Sequence, residues 1–336
     1  MSIRVDGRPE PSVLEETSCI SCGGSEYETV FEAYDRIFGG GPYPYVRCAG
    51  CGLVYENPRI KKALIGHYYP EKSYTWKELS DEPKLVPRLM NRLEKHYLFS
   101  LYRKEKKHID DYCREIGLRP ESVLDLGCAT GERLYLFRKD GCRVLGVEMS
   151  EDIIQAERIY GVKVVNSSVE DFLSAKGESF DLITNYHIIE HFHDPVEVLE
   201  GMRGRLNDNG LLVIETPNAA SVQFRLFKEK CFFIEAPRHL YLFTPETLGK
   251  VLDKAGFRLA YYHTKKPFLN PSPMILSLVP SLETRRMRIN ELEGGGFSLT
   301  KRLALAAGVF GLAPLAYLEA ASGMGATITA FAVKKH

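Results

Sequence analysis

Residues 122–131 read Ser-Val-Leu-Asp-Leu-Gly-Cys-Ala-Thr-Gly. The first five form a short apolar run closed by a glycine, the pattern of a buried strand. Residues 131–139 then carry a helical pattern. A chain that leaves a strand through Gly127 and Gly131 and enters a helix offers bare backbone to a ligand at the helix N-terminus. A lone glycine loop is a weak signal. The next strand, 143–148, strengthens it. Its last residue, Glu148, lies 23 residues after Asp125, where a carboxylate accepts both hydroxyls of a ribose. A nicotinamide dinucleotide uses the same geometry, so these residues alone leave the cofactor open.

Outward from that loop, strands and helices alternate. Residues 163–165, 180–185, 210–215, 257–263 and 326–334 read as further strands, and 151–160, 195–205 and 244–255 as helices. Thr244 caps the last of these helices and Gly256 stops it. Such alternation predicts an α/β, Rossmann-like fold over residues 120–336: a seven-stranded, mostly parallel sheet with helices on both faces. An insert at about 264–325 separates the last two strands, and Gly294-Gly-Gly296 marks a bend in it.

The runs V-L-D-L-G-C-A-T-G-E (123–132), G-V-E-M-S (146–150), F-D-L-I (180–183), I-I-E-H-F-H-D-P (188–195) and G-L-L-V-I-E-T-P-N (210–218) follow in order. In order and spacing, residues 120–263 resemble a class I S-adenosylmethionine-dependent methyltransferase. The run A-P-R-H-L-Y-L-F-T-P-E-T-L (236–248) is similar to the segment after the fifth strand in a subfamily that methylates small molecules and sugars. One position departs: Ala129 stands where the family usually has glycine before Thr130. The resemblance implies S-adenosylmethionine as donor and assigns roles. Asp125 would orient the loop and contact the donor's amino-acid end, and Gly127 and Gly131 would give backbone room. Glu148 would hold the ribose and Met149 would pack on the adenine. Val169 and Glu170 would flank the adenine, and Asn185 would lie under the methionine portion. The donor carries the hard chemistry; the protein supplies position and polarity.

Three histidines fall where the acceptor should sit. His187 and His191 flank Glu190 beyond the fourth strand, and His239 lies in Pro237-Arg-His-Leu240. Methylation of an oxygen or nitrogen gains from a base that titrates near neutral pH, and these three are the candidate catalytic residues. Their other reading is structural, as in His191 holding the turn before Asp194-Pro195. His-x-x-Glu-His also resembles the Glu-x-x-Glu-His of ubiquinone-type O-methyltransferases, where it implies a divalent metal. His187 replaces the first carboxylate here, which argues against a magnesium-like ion, since hard cations prefer oxygen.

Two CxxC pairs, Cys19-Ile-Ser-Cys22 and Cys48-Ala-Gly-Cys51, stand 25 residues apart, each followed by glycine. Either pair alone also reads as a redox site; together they fit a tetrahedral, structural zinc ion held by Cys19, Cys22, Cys48 and Cys51. Residues 1–70 are therefore expected to form a zinc-ribbon-like module with its linker. Residues 71–119, carrying a long helix at 87–116, are expected to form a lid. The polar N-terminus lacks the apolar core of a secretory signal, and thiols of this kind suit a reduced cytoplasm.

Charge narrows the partners. The chain holds 44 basic and 44 acidic residues, without the basic excess of a general nucleic-acid binder. Residues 1–70 carry seven Lys/Arg against nine Asp/Glu, a slightly acidic module unsuited to gripping phosphate. Residues 84–119 are basic by five, ten against five. A small-molecule, saccharide or glycan-linked acceptor is the expected partner. An RNA methyltransferase using the zinc module as grip, and a non-catalytic scaffold, are the alternatives. The apolar run 303–318, interrupted by Pro314, is shorter than the roughly 20 residues that span a bilayer and reads as a buried helix pair. Its other reading is a surface that touches a membrane, a lipid-linked substrate or a partner.

Overall fold

A computed structural model describes residues 9–69, 85–150, 156–264, 271–292 and 298–335. The bend at 294–296 and the first half of the helix expected at 151–160 lie outside these residues. The second half, Ala156–Tyr160, is a single π-helical turn.

The N-terminal region supplies strands β1 (Leu14–Glu15), β2 (Tyr27–Ala33), β3 (Tyr43–Cys48), β4 (Val54–Glu56) and β5 (Arg59–Ile60). The α/β region supplies β6 (Ser122–Leu126), β7 (Arg143–Glu148), β8 (Val164–Asn166), β9 (Phe180–Tyr186) and β10 (Leu206–Pro217). It continues with β11 (Tyr241–Leu242), β12 (Phe257–His263) and β13 (Thr327–Lys334). Seven of these form one sheet in the order β12-β13-β10-β9-β6-β7-β8. Strands β6 to β10 pair in parallel, whereas β13 pairs antiparallel with both β10 and β12. All five residues of β6 are buried, because helices cover both sheet faces and leave no wet side for a polar alternation.

The helices are α1 (Leu85–Glu115), α2 (Glu132–Lys139), α3 (Val169–Ser174), α4 (Pro195–Arg205), α5 (Val222–Phe227) and α6 (Pro245–Lys254). The insert adds α7 (Pro271–Leu278), α8 (Thr284–Leu292) and α9 (Leu299–Ala321). Helix α1 buries Ile109 and Cys113 against Val123, Leu182, Val213 and Phe331 on one sheet face. Caps follow sequence: Asp194 accepts from the amides of Val196 and Glu197, and Thr244 and Thr247 form a reciprocal capping box.

Two findings differ from the sequence reading. The four-stranded sheet β11-β4-β3-β2 takes β11 from beyond β10, and Cys19, Cys48, Leu53 and Tyr55 share the core of the main sheet. The cysteine segment is thus packed into the body of the chain. The run 303–318 is also no buried helix pair. It lies in one 23-residue helix that continues through Pro314 and buries only Ala316, Glu319 and Ala320. The physical reason is its place in the insert, where it meets α7 instead of the sheet. Helix α9 is long and apolar enough to cross a membrane by length and composition, with mean hydropathy 1.6.

Candidate active site

The sheet order reverses between β9 and β7, on either side of β6, so a crevice opens at the carboxyl ends of these strands. The glycine loop runs along its floor. Gly127 has φ +78°, and a Cβ there would stand 2.6 Å from the Ile188 side chain. Gly131 also has φ +78° and forms the N-cap of α2. Ala129 adopts φ +47°, a left-handed conformation that glycine enters more easily than alanine. Its N–H donates to Glu148 Oε2 over 3.0 Å. Glu148 Oε1 accepts from the amides of Met149 and Ser150 at 2.9 and 3.1 Å. The carboxylate is thereby fixed at the end of β7, and Met149 beside it is exposed.

Asp125 is buried on β6 and accepts from Thr184 Oγ1 at 2.7 Å. Burial pushes its carboxyl up to about 6, against the Thr184 hydrogen bond and the Arg133 charge. Asn185 is buried at the end of β9, donating from Nδ2 to the Leu126 carbonyl at 3.2 Å, while its Oδ1 accepts no hydrogen bond. At the start of α3, Val169 turns into the core, and Glu170 pairs with Lys62 at 3.5 Å. Of that pair, only Glu170 presents its side chain outward.

The structure brings the three histidines together around Glu190, which is fully buried. His187 follows β9 at φ +55°. That strained conformation is held by its N–H donating to the Glu215 carbonyl at 2.7 Å and by Nε2 lying 3.1 Å from Glu215 Oε1. Its Nδ1 is 3.5 Å from Glu190 Oε1. Burial opposes charge on His187, but the two carboxylates outweigh it and push the imidazole up to about 9. His191 behaves oppositely. Burial and the neighbouring His239 push it down to about 4, and burial lowers His239 as well. His191 Nδ1 lies 2.9 Å from the Arg238 carbonyl, and His239 Nδ1 lies 2.8 Å from the Phe233 carbonyl. His191 Nδ1 also lies 2.9 Å from the Tyr69 hydroxyl. A carbonyl only accepts, so His239 Nδ1 carries the proton and its Nε2 keeps a lone pair.

Glu190, His191 and His239 each place one ligand atom within 4.8 Å of the others. Glu190 Oε2 accepts from Thr216 Oγ1 at 3.0 Å, whereas Oε1 accepts no hydrogen bond. Two imidazole nitrogens and one buried carboxylate oxygen fit a borderline divalent ion better than magnesium. Sequence reading named Glu190 only as a neighbour and missed Glu215 and Arg133. Glu215 sits in the quoted V-I-E-T-P-N run; nothing short of the β9–β10 pairing places it against His187. Arg133 lies between the rings of Tyr102 and Tyr186, 4.3 and 4.1 Å from their centroids, and pairs with Glu105 at 3.1 Å. Arg238 is buried in a bidentate pair with Asp35, at 2.8 and 3.0 Å.

The four cysteine thiols cluster with ligand atoms within 4.8 Å, Cys19–Cys51 and Cys22–Cys48 both at 3.4 Å. Tetrahedral ligands at ~2.3 Å from zinc stand ~3.8 Å apart, so the cluster matches a four-thiolate zinc site. A Cβ at Gly24 or Gly50 would stand in ordinary contact with Cys22 Sγ, at 3.4 and 3.5 Å, so both glycines line the cluster.

These features accord with the comparisons. A family model described as a methyltransferase domain matches residues 95–262, half of the chain. The chain belongs to that family, and its glycine loop and seven-stranded sheet are those of a class I S-adenosylmethionine-dependent methyltransferase. A ubiquinone biosynthesis O-methyltransferase of Histophilus somni (strain 2336) is 30% identical over 112 residues, covering 30% of this chain and 47% of that protein. One of the same description from Vibrio cholerae serotype O1 (strain ATCC 39315 / El Tor Inaba N16961) is 24% identical over 193 residues, 56% of this chain and 70% of the relative. The chain spans about half the length of the first curated relatives it matches. A crystal structure of a SAM-dependent methyltransferase from Archaeoglobus fulgidus covers 69% of this chain and 94% of its own, at 22% identity and TM-score 0.44.

Proposed function

We propose that the chain transfers the methyl group of S-adenosylmethionine to an oxygen or nitrogen of a small-molecule, saccharide or glycan-linked acceptor, in a crevice between the glycine loop and the Glu190 histidines. The observation that carries this reading is the contact between the two halves. Ile188, between His187 and Glu190, packs on Gly127 of the glycine loop, so donor and acceptor would meet at the carboxyl ends of the central strands. Oxygen is the favoured atom, because the curated relatives named above are described as O-methyltransferases.

The chain's own residues would act by position. Glu148 would hold the ribose, and Gly127, with Ile188 packed where a side chain would stand, would keep the loop close against the segment that follows β9. His191 and His239, held below the usual imidazole range, would be neutral at pH 7 and keep one ring lone pair each; Glu190 adds a carboxylate oxygen within 4.8 Å. Those three would hold a divalent ion, which when bound lowers the pKa of an acceptor hydroxyl. His187, tied to Glu190 and Glu215, would keep both carboxylates in place. Zinc in the four-cysteine cluster would be structural, since four thiolates leave no open position.

The test is labelled S-adenosylmethionine incubated with the protein and a fractionated cell extract. Label is expected in small-molecule or glycan fractions. Label in RNA would replace this acceptor class with another, and absence of micromolar binding of S-adenosylhomocysteine would make the chain a scaffold.

A further inference from the structure

We propose that helices α7 and α9 dock the protein on an anionic lipid surface. Leu303, Ala307, Phe310, Pro314 and Leu318 recur at three- and four-residue spacing along α9, and all are exposed, Phe310 at 81%. Only 17% of the helix's most apolar window is buried. Leu278 at the end of α7 is exposed too. An apolar stripe of this length facing outward gains free energy only by being covered.

The helix lies along a surface instead of crossing it, because both flanks are tied to one body. Near its C-terminal end, Glu319 accepts from the Gln223 backbone and side chain at 3.1 and 2.7 Å. Before its N-terminal end, Arg285 pairs with Glu235 of the acceptor loop. Midway, a Cβ on Gly308 would meet the Ile275 side chain of α7, so the two helices are in close contact.

Charge selects the occupant. Among the described residues of the insert, the basic side chains of Arg286 and Lys301 are exposed, whereas the carboxylates of Glu283 and Glu319 are buried. Residues 222–230, on and after α5, add Arg225, Lys228 and Lys230 against Glu229, a surplus of two. An apolar face beside basic residues is what an interfacial helix presents to anionic headgroups. A second copy of the chain would bring the basic residues of both copies together, an unfavourable juxtaposition.

The full chain should sediment with vesicles of equal parts phosphatidylglycerol and phosphatidylcholine, several-fold more than with phosphatidylcholine alone, and less at high salt. Leu303→Glu with Phe310→Glu should weaken vesicle binding at least about tenfold, with the thermal midpoint unchanged. Phe310→Ser alone repeats the test at a position too exposed to threaten folding. Failure of the wild-type chain to bind either vesicle would overturn the proposal. So would a concentration-dependent dimer that the double variant abolishes, since that assigns the face to a second copy.

Discussion

Glu148, the proposed ribose holder, has both oxygens already bonded to amides, of Ala129, Met149 and Ser150. Those bonds fix its direction; Oε1 takes two of them, and Oε2, with one, keeps a further lone pair for a ribose hydroxyl. Glu148→Ala is expected to weaken S-adenosylhomocysteine binding at least about tenfold, since a charged hydrogen bond is worth about 1.5–3 kcal/mol. Calorimetry that finds no change would move the ribose elsewhere. Asp181 gives a pH test of the frame under the site. Burial would raise its carboxyl, but bonds from Asn207, Ser122 and the amides of Glu121 and Ser122 outweigh it and hold it below 3.8. A depressed carboxylate contributes stability that is present above its unfolded pKa and lost as pH falls through the folded one. Asp181→Asn should therefore cost about 1.5 kcal/mol at about pH 7, and the gap in urea midpoints should close as pH falls below 3.8. A gap independent of pH would mean the charge is not what matters there. Residue-scale legibility stopped at contacts made by folding. Glu148 was readable from its distance to Asp125. That Glu215 faces His187 was not, because it depends on the register of β9 against β10.

At the scale of elements, the strand-loop-helix unit was legible because its glycines and its apolar strand act locally. The structure shows the loop pressed from above by Ile188, which follows β9. Gly127→Ala meets two penalties, a left-handed φ of about 1–2 kcal/mol and an overpacked contact of about 1–3 kcal/mol. Ile188→Ala in the same chain should recover the second and not the first. If the double variant is no more stable than Gly127→Ala, the contact with Ile188 is not limiting. Helix α9 was misread as core because an apolar run says only that water is unfavourable there; whether the cover comes from the same chain depends on where the insert lands. Helix α1 was readable from its period, but its role was less so. The burial of Ile109 and Cys113 makes its C-terminal half part of the core.

For the whole molecule, the question is how far the cysteine cluster and the acceptor side are one unit. Tyr45 Oη donates to the His239 carbonyl at 2.7 Å, and Arg59 Nη1 donates to the His193 carbonyl at 2.9 Å. Asp35 clamps Arg238, the residue before His239. Strand β11 completes the sheet that Cys48 ends at β3. The cysteine sheet therefore holds the backbone on which His239 sits, while the glycine loop rests on β6 and β7. Zinc held by the four thiolates would contribute its binding free energy to folding, so a chelator is expected to loosen the first group and spare the second. Hydrogen exchange should accelerate together at residues 43–56 and 238–242, with residues 122–148 still protected. Methyl transfer should fall with it, while S-adenosylhomocysteine affinity holds. Faster exchange at 43–56 alone would show that His239 is held by its own loop, and loss of donor affinity would show that the two sides fold as one.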